Sequence, residues 1–218
     1  MNKKLLLLFF FIIQSAFSQQ FEFGVNLSYG FTNIANSRIS EGRAVIGDAL
    51  WNINEGISVL YYFSDPKASA ANGIHFEFTN SKRGSKSETT NGEYSFKAKS
   101  LNLNYRRSGT LGNNFRIYAD MGFGYNFIDN VNIYKGNIDE LTAFEKVNQN
   151  LTIKNNEITF VFALGADKVI LKDKFVVFFE VNGDAGITKI NENSGSYRTQ
   201  SFGLSTGIRY IVKTTKTY

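Results

Sequence analysis

FRIYADMGFGYNF, residues Phe115 to Phe127, carries two different faces at a period of two. Phe115, Ile117, Ala119, Met121, Phe123, Tyr125 and Phe127 take one side, and Arg116, Tyr118, Asp120, Gly122, Gly124 and Asn126 take the other. The apolar side is long enough to cross a bilayer at a tilt, which takes a strand of roughly 9 to 11 residues. Aromatic residues close it at both ends. A soluble sandwich strand can alternate in the same way, but the length and the aromatic ends predict a transmembrane strand with lipid outside and a polar interior.

Working outward, seven more stretches repeat the alternation. Upstream, Tyr94–Arg106 places Leu101, Leu103 and Tyr105 outward and Ser100, Asn102, Asn104 and Arg106 inward. Lys97 and Lys99 share the outward phase and so belong beyond the hydrocarbon, because lysine on a lipid face costs about 2 to 4 kcal/mol at the midplane and little near the interface. Gln20–Phe31, Glu55–Phe63 and Gly73–Thr79 are three earlier strands. Downstream come Ile158–Val169, Phe175–Ile187 and a last strand with Phe202, Leu204, Thr206, Ile208, Tyr210 and Val212 outward.

The segments between them read as connections. Thr32–Asn54, Asn80–Glu93, Ile128–Asn156 and Thr188–Gln200 are polar and predict long loops, whereas Ser64–Lys67 around Pro66, Arg107–Asn114 and Leu171–Lys174 predict short ones. Within the longest, Asn137 with Glu140 resembles a capping box and Leu141, Phe144 and Val147 recur at helical spacing, so a short helix over 137–147 is possible on sequence grounds. Long and short connections alternate, as in an outer-membrane barrel whose external loops exceed its periplasmic turns. The expected fold is therefore all-β, an eight-stranded antiparallel up-and-down transmembrane β-barrel with both termini on the periplasmic side. That polarity puts Phe21, Phe63, Tyr105, Phe115, Phe175 and Tyr210 near the lower rim and Tyr29, Phe31, Tyr125 and Phe127 near the upper one.

The N-terminus predicts export. Lys3 and Lys4 precede an apolar run from Leu5 to Ile13, and Ala16 and Ser18 suit a signal peptidase, so residues 1–18 are expected to be a signal peptide cleaved after Ser18 and residues 19–218 one barrel domain. Loss of the two lysines lowers the formal charge from +5 to +3, too weak a bias to imply nucleic acid. The chain has no cysteine, which removes disulfides, lipid attachment through a lipobox and thiolate metal sites. No later segment approaches the roughly 18 apolar residues of a transmembrane helix.

With the signal ending Ala16-Phe17-Ser18 before Gln19-Gln20, the eight alternating strands, the glycine-bearing interior Asp120-Met121-Gly122-Phe123-Gly124 and the terminal Tyr218, the chain resembles the PorT-like outer-membrane β-barrel proteins. The resemblance covers essentially all of the mature sequence and implies the barrel fold. It also implies a place in a Gram-negative outer membrane and, for one branch of the family, an accessory role in type IX secretion. No residue motif here carries that secretion role. Tyr218, with Val212, Tyr210 and Ile208 upstream, looks like the terminal signal read by the barrel-assembly machinery.

Candidate chemistry lies in the lumen. An eight-stranded barrel is only wide enough for its own side chains, so inward charges must find partners there. Glu77, Arg106, Arg116, Asp120, Asp167, Glu180, Asp184 and Arg209 are the expected members of a structural charge network that blocks the barrel. His75, the single histidine, shares an inward face with Glu77; a hydrogen-bonding role is expected there, and no catalytic residue is assigned. One histidine without cysteine cannot furnish a zinc set, and the strand glycines precede no helix that could cradle phosphate, so neither metal nor cofactor is expected. Expected partners are outer-membrane lipid and lipopolysaccharide, the latter through loop residues Arg38, Arg43, Lys82, Arg83 and Lys86, along with an envelope protein of unspecified identity. A monomer is expected.

The function expected from this is non-enzymatic: a scaffold that displays external loops for partner binding or envelope integrity. A narrow transporter is the alternative, supported by the inward apolar residues Leu60, Tyr62, Val176 and Phe178. A soluble periplasmic lipid carrier would need the faces reversed.

Overall fold

The computed structural model describes residues 20–36, 48–86, 92–112, 114–135, 153–191 and 196–213. They form strands β1 (Gln20–Asn36), β2 (Asp48–Tyr62), β3 (Ala71–Lys86), β4 (Glu93–Thr110), β5 (Phe115–Lys135), β6 (Asn156–Ile170), β7 (Phe175–Gly186) and β8 (Tyr197–Lys213). Each strand pairs antiparallel with the next, and β8 returns to β1 to close the barrel. Closure pairs every interior ladder and leaves no open edge, the condition for a sheet to survive in hydrocarbon. Among the described residues there is no helix.

The alternation sorts residues inside out relative to a soluble protein. Val25, Ile57, Phe78, Leu103, Phe123, Leu164, Phe179 and Leu204, one from each strand, are all exposed on the outer surface. The buried set is instead rich in Asn, Ser, Glu, Asp and Arg. A continuous exposed apolar band of this extent is a lipid-facing belt. Aromatic clusters border it. Phe21 lies 4.6 Å from Tyr61 and Phe175 lies 5.3 Å from Tyr210 near the lower rim, while Tyr29 and Phe31 each lie 5.4 Å from Trp51 at the upper one.

Lower turns are tight. Ala68 N–H donates to the Asp65 carbonyl at 3.0 Å across Pro66, whose fixed φ suits the second position of a β-turn. Leu171, Lys172 and Asp173 all take positive φ, which turns β6 into β7 within four residues, Leu171–Lys174. At the β1–β8 seam Gly30 pairs with Gly203, and a Cβ on Gly30 would sit 2.6 Å from the Gly203 Cα. Both positions therefore need glycine for the seam to close at this spacing.

The sequence-based strand bounds are too short at the upper ends. Residues 32–36 and 48–54 belong to β1 and β2, 80–86 to β3, 128–135 to β5, and 197–200 to β8 rather than to loops. At the lower end, 107–110 continue β4. Above the belt the outward face meets water, so Asn80, Lys82, Lys97 and Asp129 replace apolar residues there while backbone pairing continues. The hydrophobic signal stops where the membrane stops, but the ladder does not. The expected signal segment 1–18, the possible helix at 137–147, Arg38, Arg43 and Tyr218 lie outside the described residues.

Candidate functional site in the barrel lumen

All eight residues expected in the charge network face the lumen, and the strand register decides which of them meet. Arg116 pairs with Asp167 across β5–β6, and its Nε and Nη2 donate to the two carboxylate oxygens at 2.6 and 3.0 Å. Arg116 Nη2 also donates to Glu22 at 3.0 Å. Arg209 Nη2 donates to the same Asp167 at 2.7 Å, and its Nε stands 3.1 Å from Glu22. Two guanidinium groups and two carboxylates thus share one layer across the lower lumen.

A second cluster lies alongside. Arg106 and Asp120 are register partners across β4–β5 and form a two-pronged pair at 2.7 and 2.6 Å. Geometry of this kind is what makes a buried ion pair tolerable, because both charges keep short, directed hydrogen bonds in place of water. His75 Nδ1 lies 2.9 Å from Asp120 Oδ2. The Arg106 guanidinium stacks 3.7 Å over the Tyr118 ring, and the Tyr118 hydroxyl donates to Glu180 at 2.8 Å.

Among the described residues no guanidinium forms an ion pair with Glu77. Its carboxylate accepts hydrogen bonds from the Asn26 amide and, at 3.1 Å, from the Asn102 amide. Asp184 is held from the opposite wall, where Arg83 Nη1 and Nη2 donate to its two oxygens at 2.7 and 2.8 Å. Glu157 accepts from the Thr199 backbone N–H at 2.9 Å and from the Asn126 amide at 3.2 Å.

Apolar residues close both ends. Leu60, Tyr62 and Ala71 pack together below the charged layers, with Val176 and Phe178 also buried. Above them Ile34, Phe96, Ala98, Ile128, Ile190 and Tyr197 form a second buried cluster. Across the lower mouth Lys67 pairs with Asp173 at 2.9 Å and the Thr110 hydroxyl donates to the Pro66 carbonyl at 3.2 Å.

Sequence reasoning omitted Glu22, Arg83, Tyr118 and Glu157 from this network. Arg83 was expected in an outer loop among lipopolysaccharide-binding residues; it points inward instead, 5% exposed, because β3 continues past Asn80 and carries Ser81, Arg83 and Ser85 in the phase of His75 and Glu77. Extending that phase would have found it, as the phase of Thr159 would have found Glu157.

The family model described as outer membrane protein beta-barrel domain matches residues 5–210. The chain belongs to this family. Among solved structures it is similar to Neisserial surface protein A, NspA, at 15% identity and a TM-score of 0.52, covering 86% of this chain and 96% of that one. It is also similar to OprG from Pseudomonas aeruginosa, at 11% identity and a TM-score of 0.48 over 90% of this chain and 97% of that one. Ail, the attachment invasion locus protein of Yersinia pestis, aligns at 12% identity and a TM-score of 0.41, over 88% and 98%. No curated protein matches significantly. This outer-membrane barrel shares with NspA the fold; at that identity the likeness extends no further.

Proposed function

We propose that the protein is a closed outer-membrane barrel that works as a rigid anchor for its external edge, without enzymatic activity and without a conducting lumen. The blocked lumen carries this reading: the Arg83–Asp184 and Arg116–Glu22 pairs reach across it, the Arg106–Asp120 and Arg116–Asp167 pairs line its wall, and apolar side chains pack at both ends. The buried packing of Leu60, Tyr62, Val176 and Phe178 speaks against a passage along them. Among the described residues His75 Nε2 makes no hydrogen bond to a serine, and its Nδ1 faces Asp120 within the charge network.

What remains for function is the collar of β3, β4 and β5 above the belt, from which connections 87–92 and 136–155 leave. On its outer face Lys82 lies directly opposite Lys97, with Lys99 opposite Asn80. Like charges so placed repel unless an anion joins them. Lys82 already meets Glu93 at 2.5 Å and Lys97 stands opposite Asp129, which leaves Lys99 for a lipopolysaccharide phosphate at headgroup height. The finer likeness to PorT-like proteins rests on strand pattern, and an accessory role in type IX secretion would be read by the same external edge.

Single-channel recording in planar bilayers tests the anchor reading. Folded protein is expected to insert without conductance steps, and reproducible steps or solute flux into liposomes would refute closure.

A further inference from the structure

Above the Arg106–Asp120 pair and below the Arg83–Asp184 pair lies a cavity of about 70 Å³. Glu77, Asp120, Glu180 and Asp184 all line it. Asp120 and Asp184 are matched by Arg106 and Arg83. The other two are not matched. Glu77 is held by two neutral amides, and Glu180 by the Tyr118 hydroxyl and the Asn182 amide, with Arg106 no closer than 4.0 Å.

The remaining polar atoms on the wall point to the same deficit. His75 Nε2, Asn104 Oδ1 and Asn54 Oδ1 are buried without hydrogen-bond partners. His75 and Asn104 are 4% and 3% exposed. Asn104 Oδ1 and Asn54 Oδ1 are acceptors, and His75 Nε2 joins them in the neutral tautomer whose Nδ1–H donates to Asp120. The one unpartnered donor on this wall, Arg83 Nε, belongs to a guanidinium already committed to Asp184. Across the whole lumen, among the described residues, seven carboxylates (Glu22, Glu77, Asp120, Glu157, Asp167, Glu180, Asp184) face four guanidinium groups (Arg83, Arg106, Arg116, Arg209). Buried carboxylates without counter-charge are costly, and a wall of acceptors cannot satisfy itself.

We propose that this cavity binds a small monovalent cation, an alkali ion with residual water or ammonium. Glu77 and Glu180 supply the counter-charge, and Asn104 Oδ1, Asn54 Oδ1 and His75 Nε2 serve as neutral acceptors, directly or through water. The volume suits a small ion and a few waters and rejects bulky organic cations. A divalent or transition ion is disfavoured, because among the described residues no three His, Asp or Glu side chains converge at metal-ligating distance.

Thermal unfolding of the folded barrel in detergent micelles tests this, at pH 8 and constant ionic strength, in sodium, potassium, ammonium or N-methylglucamine chloride. At least one small cation is expected to raise the midpoint saturably over N-methylglucamine, by on the order of 3 to 5 °C. The three small-ion arms identify which ion fits. E77Q and E180Q are each expected to fold and to lose that increment, since glutamine removes the charge, keeps one acceptor oxygen, and turns its amide N–H towards a partner that can reverse to accept, the Asn26 amide by a flip or the Tyr118 hydroxyl by rotation. The wild-type comparison stands even if a variant fails to fold. Equal midpoints in all four salts would overturn the proposal, with stability that rises only on acidification assigning the excess charge to protons; so would an increment retained in both variants.

Discussion

Asp167 shows how much one lumen side chain can hold. It accepts from Arg116 on β5 and Arg209 on β8, and it is 2% exposed. Replacing it by asparagine leaves two guanidinium groups facing Glu22 alone, and removal of one partner from a buried pair costs about 3 to 5 kcal/mol. Asp167→Asn is therefore expected to lose stability of that order in urea unfolding from lipid vesicles. The Lys67–Asp173 pair is the control. The Lys67 side chain is 58% exposed, and Lys67→Ala is expected to cost less than about 1 kcal/mol. Equal losses at both sites would mean that the buried network contributes nothing specific. The sequence shows that Asp167 points inward, because its phase in β6 opposes Phe162 and Leu164. It does not show that Arg209 reaches it, since the two lie on strands separated by β7.

At the scale of a strand, vertical position decides which substitutions are tolerated. On β4, Leu103 lies in the lipid belt opposite Phe76 and Phe123, whereas Lys99 is opposite Asn80 and Phe127 at its upper border. Leu103→Lys is expected to destabilise by about 2 to 4 kcal/mol and Lys99→Leu to change stability little, as read by equilibrium unfolding in vesicles. The opposite order would move the belt along the strand. Alternation alone located this belt correctly, since lipid selects every second residue. It missed the strand segments above, where Ser81 and Arg83 continue the inward phase of β3 but Asn80 and Lys82 carry no apolar signal. Water tolerates polar side chains whether or not the backbone beneath them is paired.

For the whole molecule, the obstruction is redundant. The Arg83–Asp184 pair, the Glu22–Arg116–Asp167–Arg209 layer and two apolar clusters occupy successive heights of the same narrow bore, and the Arg106–Asp120 pair projects into it from one wall. An Arg83→Ala, Asp184→Ala double variant is expected to fold and still show no conductance steps in bilayers, because the lower layers remain. Conductance in that variant would identify the upper pair as a gate and replace the anchor reading with a channel.

The stretch Phe115 to Phe127 by itself determined the strand, its two faces and its span, and repetition of that pattern determined the barrel class, because period-two burial is a local property of the chain. Only the tertiary structure decided which charges meet. Register brings Arg106 to Asp120 and Arg116 to Asp167, closure carries Arg209 and Glu22 to the same layer, and Glu77 and Glu180 line one cavity without a hydrogen bond from a guanidinium. Those encounters join residues far apart in sequence across a closed circle, and no local pattern encodes the distance across it.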